Sequence, residues 1–416
     1  MILNKRINTD KLFFALVCIV AISLPFSKQV VGITTGLLII LTFLRFNTTE
    51  FSGLSRLMFY AIVGFFAMHL VCLVYTDDLV NGLSHIEMKL SMLAFPLIFA
   101  FADNKFDKKK IEKVLLFYAI SMCLVSLTSL GYAFYRYLYH QHIYKQNIFF
   151  FYYSDLVQPF DFSPSYYSMY VSFAALVLLI FILTNYAVLK PSQRALLVLA
   201  IVFLTGFNVL MSARMPLIAF FLLFGFILIK RIRVRSMTGY GVLILSVVCL
   251  FSFLALNKYT IRRIFTMDKL TYTIDNPDFK AWNAVTIRVA IWKTNSRLIA
   301  DNWLFGVGRG DADKKILEAY KENRYFYALN ERYNLHNQYL QTMLSVGLIG
   351  LIFLLMIGWL GLNLAFREGN WYLIAFLILV LLCFITEAVL ARLKGVLFFS
   401  FFVSLLGFHS CQSYKK

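Results

Sequence analysis

The sequence predicts an all-α integral membrane protein of about twelve transmembrane helices, with one large helical loop on the outer side. Three observations carry that expectation. Hydrophobic residues make up 60% of the 416-residue chain and the mean hydropathy is +0.74, far above a soluble domain. Apolar runs near or above the roughly 18 residues that a span needs recur along nearly the whole length. The runs are continuously apolar instead of alternating, which selects helices over a barrel, because a helix satisfies its own backbone polar groups in lipid.

Taken in order, the runs place spans at 12–27, 29–46, 57–75, 84–102, 114–136, 165–184, 194–211, 214–230, 239–257, 336–362, 371–388 and 394–411. Lys5, Arg6 and Lys11 give the first run the look of a signal peptide. With no small-x-small cleavage site before the second span, it is read as helix one. Residues 1–257 thus carry helices one to nine, 258–335 form the large outer loop, and 336–416 carry helices ten to twelve.

Orientation follows from Lys and Arg in the short loops, which collect on the cytoplasmic side. With the N-terminus inside, the inner loops hold Arg45 and Arg56, the run at 108–110 with Lys105 and Lys113, Lys190 and Arg194, the run at 230–235, Arg367, and Lys415 and Lys416. Both termini are then cytoplasmic. The net charge of +19 reflects this topology and a basic face toward anionic lipid, not nucleic-acid binding. Cys18, Cys72, Cys123, Cys249 and Cys383 fall inside spans and Cys411 at the end of the last, so no disulfide framework is implied and no spacing suggests a metal site.

Two stretches break the pattern. Residues 137–164 form a moderate outer loop dense in aromatics, among them Tyr137, Tyr139, Tyr144, Phe149 and Tyr152, which suit either an interfacial belt or a sugar-stacking groove. The long loop 258–335 contains two expected helices, 284–300 and 312–328, and between them Gly306, Gly308 and Gly310 mark a tight turn.

Polar residues within or beside the membrane are functional candidates, because a charge in the bilayer costs a few kcal/mol unless paired or wetted. His336 opens the tenth span in "HNQYL", followed by Asn337 and Tyr339, with Gly347 and Gly350 on the next turns; an interfacial cap is the plainer reading of the imidazole. Arg214 separates two apolar runs with almost no loop between them, either as a snorkelling anchor or as a guanidinium that grips a phosphate. Arg288 and Trp292 lie one helical turn apart on one face, as a phosphate-and-sugar pair or a cation–π pair. Glu387, Arg392 and Lys394 at the last junction, and Glu87 and Lys89 at the start of span four, read as helix-packing ion pairs or as site residues. Asp311 and Asp313 form a D-x-D, either a divalent-cation ligand pair or acids favourably placed at a helix start.

Taken together, these segments resemble the O-antigen ligase and O-antigen polymerase superfamily. "NLHNQYLQTMLSVGLIGLI" is similar to its H-N-x-Y-L signature with a later glycine, "MSARMPLIAF" to its Ser-x-Arg element, "RVAIWKTNSRLIADNWLFGVGRGD" to its R-x-x-x-W and Gly-rich turn, and "TEAVLARLKGVLFFSFF" to a late Glu-containing helix start. The turn reads Asn302-Trp303-Leu304-Phe305-Gly306 where the family carries N-P-L-F-G. The likeness covers most of 200–410.

The resemblance implies a multi-pass glycosyltransferase of the bacterial inner membrane that uses an undecaprenyl-diphosphate glycan as donor on the periplasmic face, without nucleotide sugar. His336 is then the general base on the acceptor hydroxyl, and attack on the anomeric carbon inverts it. Arg214 and Arg288 bind the diphosphate, so no metal or other cofactor is expected. Trp292, Asn337, Tyr339, Glu387 and Arg392 line the substrate site. A ligase hands the glycan to lipid A core, another glycan or a protein Ser or Thr; a polymerase hands it to a second lipid-linked repeat unit. A transporter of lipid-linked anions, with Arg214, Glu387 and Glu87 lining its cavity, is the reading from a different class.

Overall fold

The structure is a computed structural model that describes residues 2–44, 53–101, 107–139, 147–231 and 284–408. The described residues are helical with no strand. They form α1 (Ile2–Ser23), α2 (Lys28–Leu44), α3 (Gly53–Val71), α4 (Leu79–Lys89), α5 (Ser91–Phe101), α6 (Lys108–Tyr139), α7 (Tyr153–Val157), α8 (Pro164–Asn185), α9 (Pro191–Met211) and α10 (Arg214–Arg231). After the undescribed stretch come α11 (Ala284–Asp301), α12 (Arg309–Glu322), α13 (Phe326–Asn330), α14 (Gln338–Glu368), α15 (Trp371–Cys383) and α16 (Leu393–Gly407). The expected span 239–257, the start of the long loop, and Tyr144, Cys249 and Cys411 lie outside the described residues.

Six segments among the described residues are long and apolar enough to cross a membrane: Gly53–Tyr75, Leu79–Phe101, Lys108–Tyr139, Pro164–Asn185, Pro191–Met211 and Gln338–Glu368. The chain is a membrane protein. Lys28–Leu44, Trp371–Cys383 and Leu393–Gly407 are shorter apolar helices.

α8 is buried almost all round, as an evenly apolar helix must be. Around it Tyr170 stacks on Phe398 with ring centroids 4.1 Å apart, and Phe173 and Tyr118 each meet Phe402 edge-on at 4.8 Å. Aromatic volume thus fills the centre. Polar groups inside this core are matched across helices: Tyr118 donates to the Tyr170 carbonyl, Ser121 to that of Ile22, Asn370 to that of Leu406, and Asn208 joins Ser168 and Ser172. In lipid each such bond is worth roughly 0.6–1.7 kcal/mol.

Three expected elements come out differently, and each difference shapes the site. The expected span 84–102 begins earlier, at Leu79, and is interrupted at Leu90 between α4 and α5. The expected helix 312–328 is two helices, because Arg324 takes a left-handed backbone (φ 54°) that ends α12.

The third difference is the largest. The expected span 336–362 is not one straight rod: Gly347 in α14 adopts φ 67°, ψ −167°, a conformation open to glycine alone. A Cβ on Gly350 would lie 3.6 Å from Thr342 Cγ2, whereas residues eight apart in a straight helix are about 12 Å apart. The segment 338–346 is therefore folded back against 348–368.

The break leaves helix backbone groups without helical partners, and the Gly-rich turn between α11 and α12 supplies them. Val307 N–H donates to the Leu344 carbonyl at 2.8 Å, and Leu348 N–H donates to the Trp303 carbonyl at 2.8 Å. Turn and break fit together backbone to backbone. A Cβ on Gly347 would fall inside the Leu304 carbonyl, and one on Gly306 would lie 2.7 Å from the Leu344 oxygen.

Gly347→Ala is accordingly expected to destabilise the fold by about 2 kcal/mol or more, from left-handed strain plus displacement of the turn. Gly32→Ala, on α2 with open space around it, is expected to be neutral or stabilising by up to about 1 kcal/mol. Thermal unfolding midpoints of the two purified variants check the contrast.

Candidate active site

α15 and α16 have 13 and 15 residues, about 20 Å each and short of the roughly 30 Å of bilayer hydrocarbon. Gly358 and Gly361 of α14 pack on Leu381 and Leu377 of α15, so the two helices run antiparallel and α15 stops well short of the Gly347 bend. Residues 384–392, between α15 and α16, form a turn with one short 3₁₀ segment, Val389–Ala391, about 10–15 Å from that bend along α14. Buried irregular backbone stands only if its polar groups are matched.

They are matched almost group by group. The last carbonyls of α15 are taken by Phe384 N–H (Val380), Tyr339 O–H (Leu381, 2.9 Å), Ile385 N–H (Leu382) and Glu387 N–H (Cys383). Within the turn, Gln338 N–H donates to the Phe384 carbonyl, Asn337 Nδ2 to Ile385, Arg288 Nε to Thr386, Tyr166 O–H to Ala388 and Lys89 Nζ to Leu390. Leu390 N–H in turn donates to Gln338 Oε1 at 2.6 Å. Donors from α4, α8, α11 and the start of α14 converge on seven residues.

What this turn presents is Glu387. Its Oε1 accepts from Arg288 Nη2 at 3.0 Å, and its Oε2 lies 3.5 Å from His336 Nδ1, an ion-pair contact longer than a hydrogen bond. Burial pushes the Glu387 carboxyl up, but the His336 imidazole, the Arg288 guanidinium and the Ser165 hydroxyl outweigh it and hold the group below its ordinary value. The charged carboxylate therefore faces the imidazole at neutral pH.

His336 itself sits at φ 45°, a left-handed backbone uncommon for a residue with a Cβ. Asn334 Oδ1 accepts the His336 N–H at 2.9 Å, and Tyr333 meets the imidazole edge-on at 5.1 Å. Asn337 then caps α14, its Oδ1 accepting from Leu340 N–H at 2.9 Å. Backbone strain of about 1–3 kcal/mol held by surrounding bonds is a mark of functional positions.

Of the residues expected to contact substrate, several spend their polar atoms on this scaffold. Trp292 Nε1 donates to the Leu335 carbonyl at 2.8 Å, Tyr339 to Leu381, and both ends of the Asn337 amide are engaged. Arg288 joins Glu387 and the turn. Arg392 caps α16 with an extended backbone, and it and Glu387 both lie close enough to Tyr166 to act on it electrostatically.

Arg214 opens α10, which packs against α15 with Phe226 beside Trp371 at 6.0 Å. Twelve residues back along α10 and twelve forward along α15, Arg214 comes level with Cys383, so Arg214 and the Glu387 turn lie at the same end of the bundle. Gln338 and Tyr166 were not legible as site residues. An amide inside a motif and a tyrosine at a helix start carry no distinguishing signal of their own.

The other polar residues tie α12 to α4 and the segment before it. Asp311 is buried, not solvated, and accepts the N–H groups of Asp77 and Asp78 at 2.8 and 3.0 Å. Asp313 takes a two-bond fork from Arg309 and a contact from His85 at 3.4 Å. Among the described residues no cluster of three or more His, Cys, Asp or Glu is placed to hold a metal ion. Instead of pairing with Glu387, Lys394 donates to the carbonyls of Phe160 and Asp161 and lies 3.8 Å from the Phe162 ring centroid. Arg136 likewise fastens the aromatic outer segment, bonding Gln158 at 2.6 Å and covering the Phe150 ring.

Two stability outcomes follow. Glu387→Ala leaves the part-buried Arg288 without its carboxylate and is expected to cost about 1.5–3 kcal/mol, read as a lower unfolding midpoint in detergent. Lys89→Gln, which keeps an N–H donor, is expected to remain closer to wild type than Lys89→Met, which leaves the Leu390 carbonyl bare at about 1–3 kcal/mol.

No curated protein matches the chain. Residues 195–355 match the model of a family described as O-antigen ligase, a segment that holds Arg214, Arg288, Trp292, His336, Asn337 and Tyr339. That segment, with its His-Asn helix start, its Gly-rich turn and its arginines, carries the similarity of this chain to the O-antigen ligase family.

Proposed function

We propose that this protein is a lipid-linked glycan transferase, acting as a ligase, that moves a glycan from undecaprenyl diphosphate to an acceptor hydroxyl. The observation that carries the reading is the bridge made by Glu387 between Arg288 and His336. A carboxylate against Nδ1 orients an imidazole, which leaves Nε2 to accept a proton.

The acceptor hydroxyl gives its proton to His336 Nε2 as its oxygen bonds to the anomeric carbon from the face opposite the diphosphate. The bond from that carbon to the diphosphate oxygen breaks, the configuration inverts, and undecaprenyl diphosphate leaves with the electron pair. The negative charge that grows on the leaving group is met by Arg214 at the N-terminus of α10, where helix dipole and guanidinium act together. Arg288 holds Glu387 and, once substrate is in place, adds positive charge on the same side. Positive side chains do here what a metal does elsewhere, and catalysis needs no cofactor.

The recess supports a lipid-linked donor. A reactive group tethered to a polyprenyl tail reaches a site set below the Gly347 bend from within the bilayer, a path unsuited to a water-soluble nucleotide sugar. Placement in the bacterial inner membrane, with about twelve spans, cytoplasmic termini and the site facing the periplasm, completes the reading. The acceptor is lipid A core or another glycan or protein hydroxyl.

His336→Ala is expected to lower transfer by purified enzyme about 10²–10⁴-fold; near-wild-type turnover would reduce His336 to a helix cap. Enzyme treated with EDTA is expected to keep its rate, and restoration by magnesium of a lost rate would sink the metal-free mechanism. In a deletion strain, full-length polymer is expected to accumulate on the undecaprenyl carrier and vanish from its acceptor fraction. Single repeat units left on the carrier would instead identify a polymerase, and relocation of glycan without a new covalent product a transporter.

A further inference from the structure

The Gly-rich turn reads in sequence as a surface loop of a soluble segment, yet its tip is apolar and uncovered. Trp303 and Phe305 are 51% and 52% exposed, with Leu304 between them. Their neighbours are apolar and exposed as well. The Tyr75 hydroxyl bonds the Phe305 carbonyl at 2.6 Å, which sets Val74 and Tyr75, at the end of a candidate membrane span, beside the tip. The Leu348 N–H bond to Trp303 sets the tip at the head of the long apolar arm of α14, whose Ile352 and Trp359 are also exposed.

We infer that the Trp303–Phe305 tip is immersed in the bilayer, with lipid acyl chains as its occupant. Two features favour lipid over a protein partner. The exposed apolar surface continues without a step into those of two candidate spans, so the medium that covers them covers the tip. The Trp303 and Phe305 carbonyls accept from Leu348 and Tyr75, and the Gly306 N–H donates to Asn302, which holds the tip against these two spans. Exposed Arg297 and Asp301 stand on the last turns of α11, just before the tip, which is the charged-above, aromatic-below order of a membrane boundary.

Immersion gives the loop a mechanical role. The tip joins the end of α11, which carries Arg288, to the break in α14, whose folded-back arm carries His336. Lipid around the tip fixes the hinge between these two arms, and with it the height at which Arg288 meets Glu387.

The test uses the full chain in nanodiscs of phosphatidylcholine with or without bromine on one acyl chain. The Trp303 component of the fluorescence is the emission of wild type less that of Trp303→Phe, which leaves the backbone bonds intact. That component is expected to lose most of its intensity in brominated lipid and little of it to aqueous acrylamide. Quenching by acrylamide without quenching by bromine would place the tip in water and overturn the inference. Insensitivity to both would place it under protein, a second copy included, and overturn it equally. Phe305→Trp in the Trp303→Phe background is expected to restore bromine-quenchable emission, a check independent of the behaviour of the single variant.

Discussion

The interaction on which the site depends is the set of hydrogen bonds that closes the backbone of residues 384–390. Two short helices leave between them a turn with one 3₁₀ segment, Val389–Ala391, and an unmatched buried carbonyl there costs about 1–3 kcal/mol. Five carbonyls of the turn are matched by donors from five different residues, Gln338, Asn337, Arg288, Tyr166 and Lys89. Fixing the turn also fixes Glu387. The same bonds thus hold a carboxylate where an arginine from α11 and a histidine just before α14 both reach it.

The second joint has the same logic. Gly347 breaks α14, and the turn at 302–308 supplies the backbone partners that the break removes, so each irregular element completes the other. Without the break, 338–346 would continue the axis of 348–368, and the imidazole would stand far from the Glu387 turn instead of beside it. Without the turn, the break would expose its own peptide groups.

Charge is arranged around these joints in two groups that do not mix. Arg288, Glu387 and His336 face one another at the recess. Arg309, Asp313 and His85 clasp α12 to α4, with Asp311 capping the chain at 77–78. Lys89 is the link between them, since it lies in α4 and donates to the Glu387 turn. A buried cation bonded to a neutral carbonyl is costly to place, and its position at that link gives the cost a structural reason.

By itself the sequence determined the class of solvent and the secondary structure that goes with it. Apolar runs near spanning length dictate membrane helices, and the helix at 284–300 was legible to within a residue of α11. His336, Arg288 and the glycines at 306, 308 and 310 stood out as well, because each breaks a strong local pattern, whereas Gly347 lay inside an expected continuous span and its break did not show. What only the tertiary structure decided is how these residues are used. Glu387 lies 99 positions from Arg288 and 51 from His336, and no local periodicity links them. Tyr339 and Asn337 read as substrate contacts, whereas their polar atoms close backbone groups of α15 and its following turn. Asp311 read as a solvated acid and is buried, because its partners are peptide N–H groups of Asp77 and Asp78, and backbone donors leave no mark in a sequence. The reason is common to all of these: local pattern specifies where a helix forms and which face is apolar, while the partner of a buried polar atom is set by how distant segments pack.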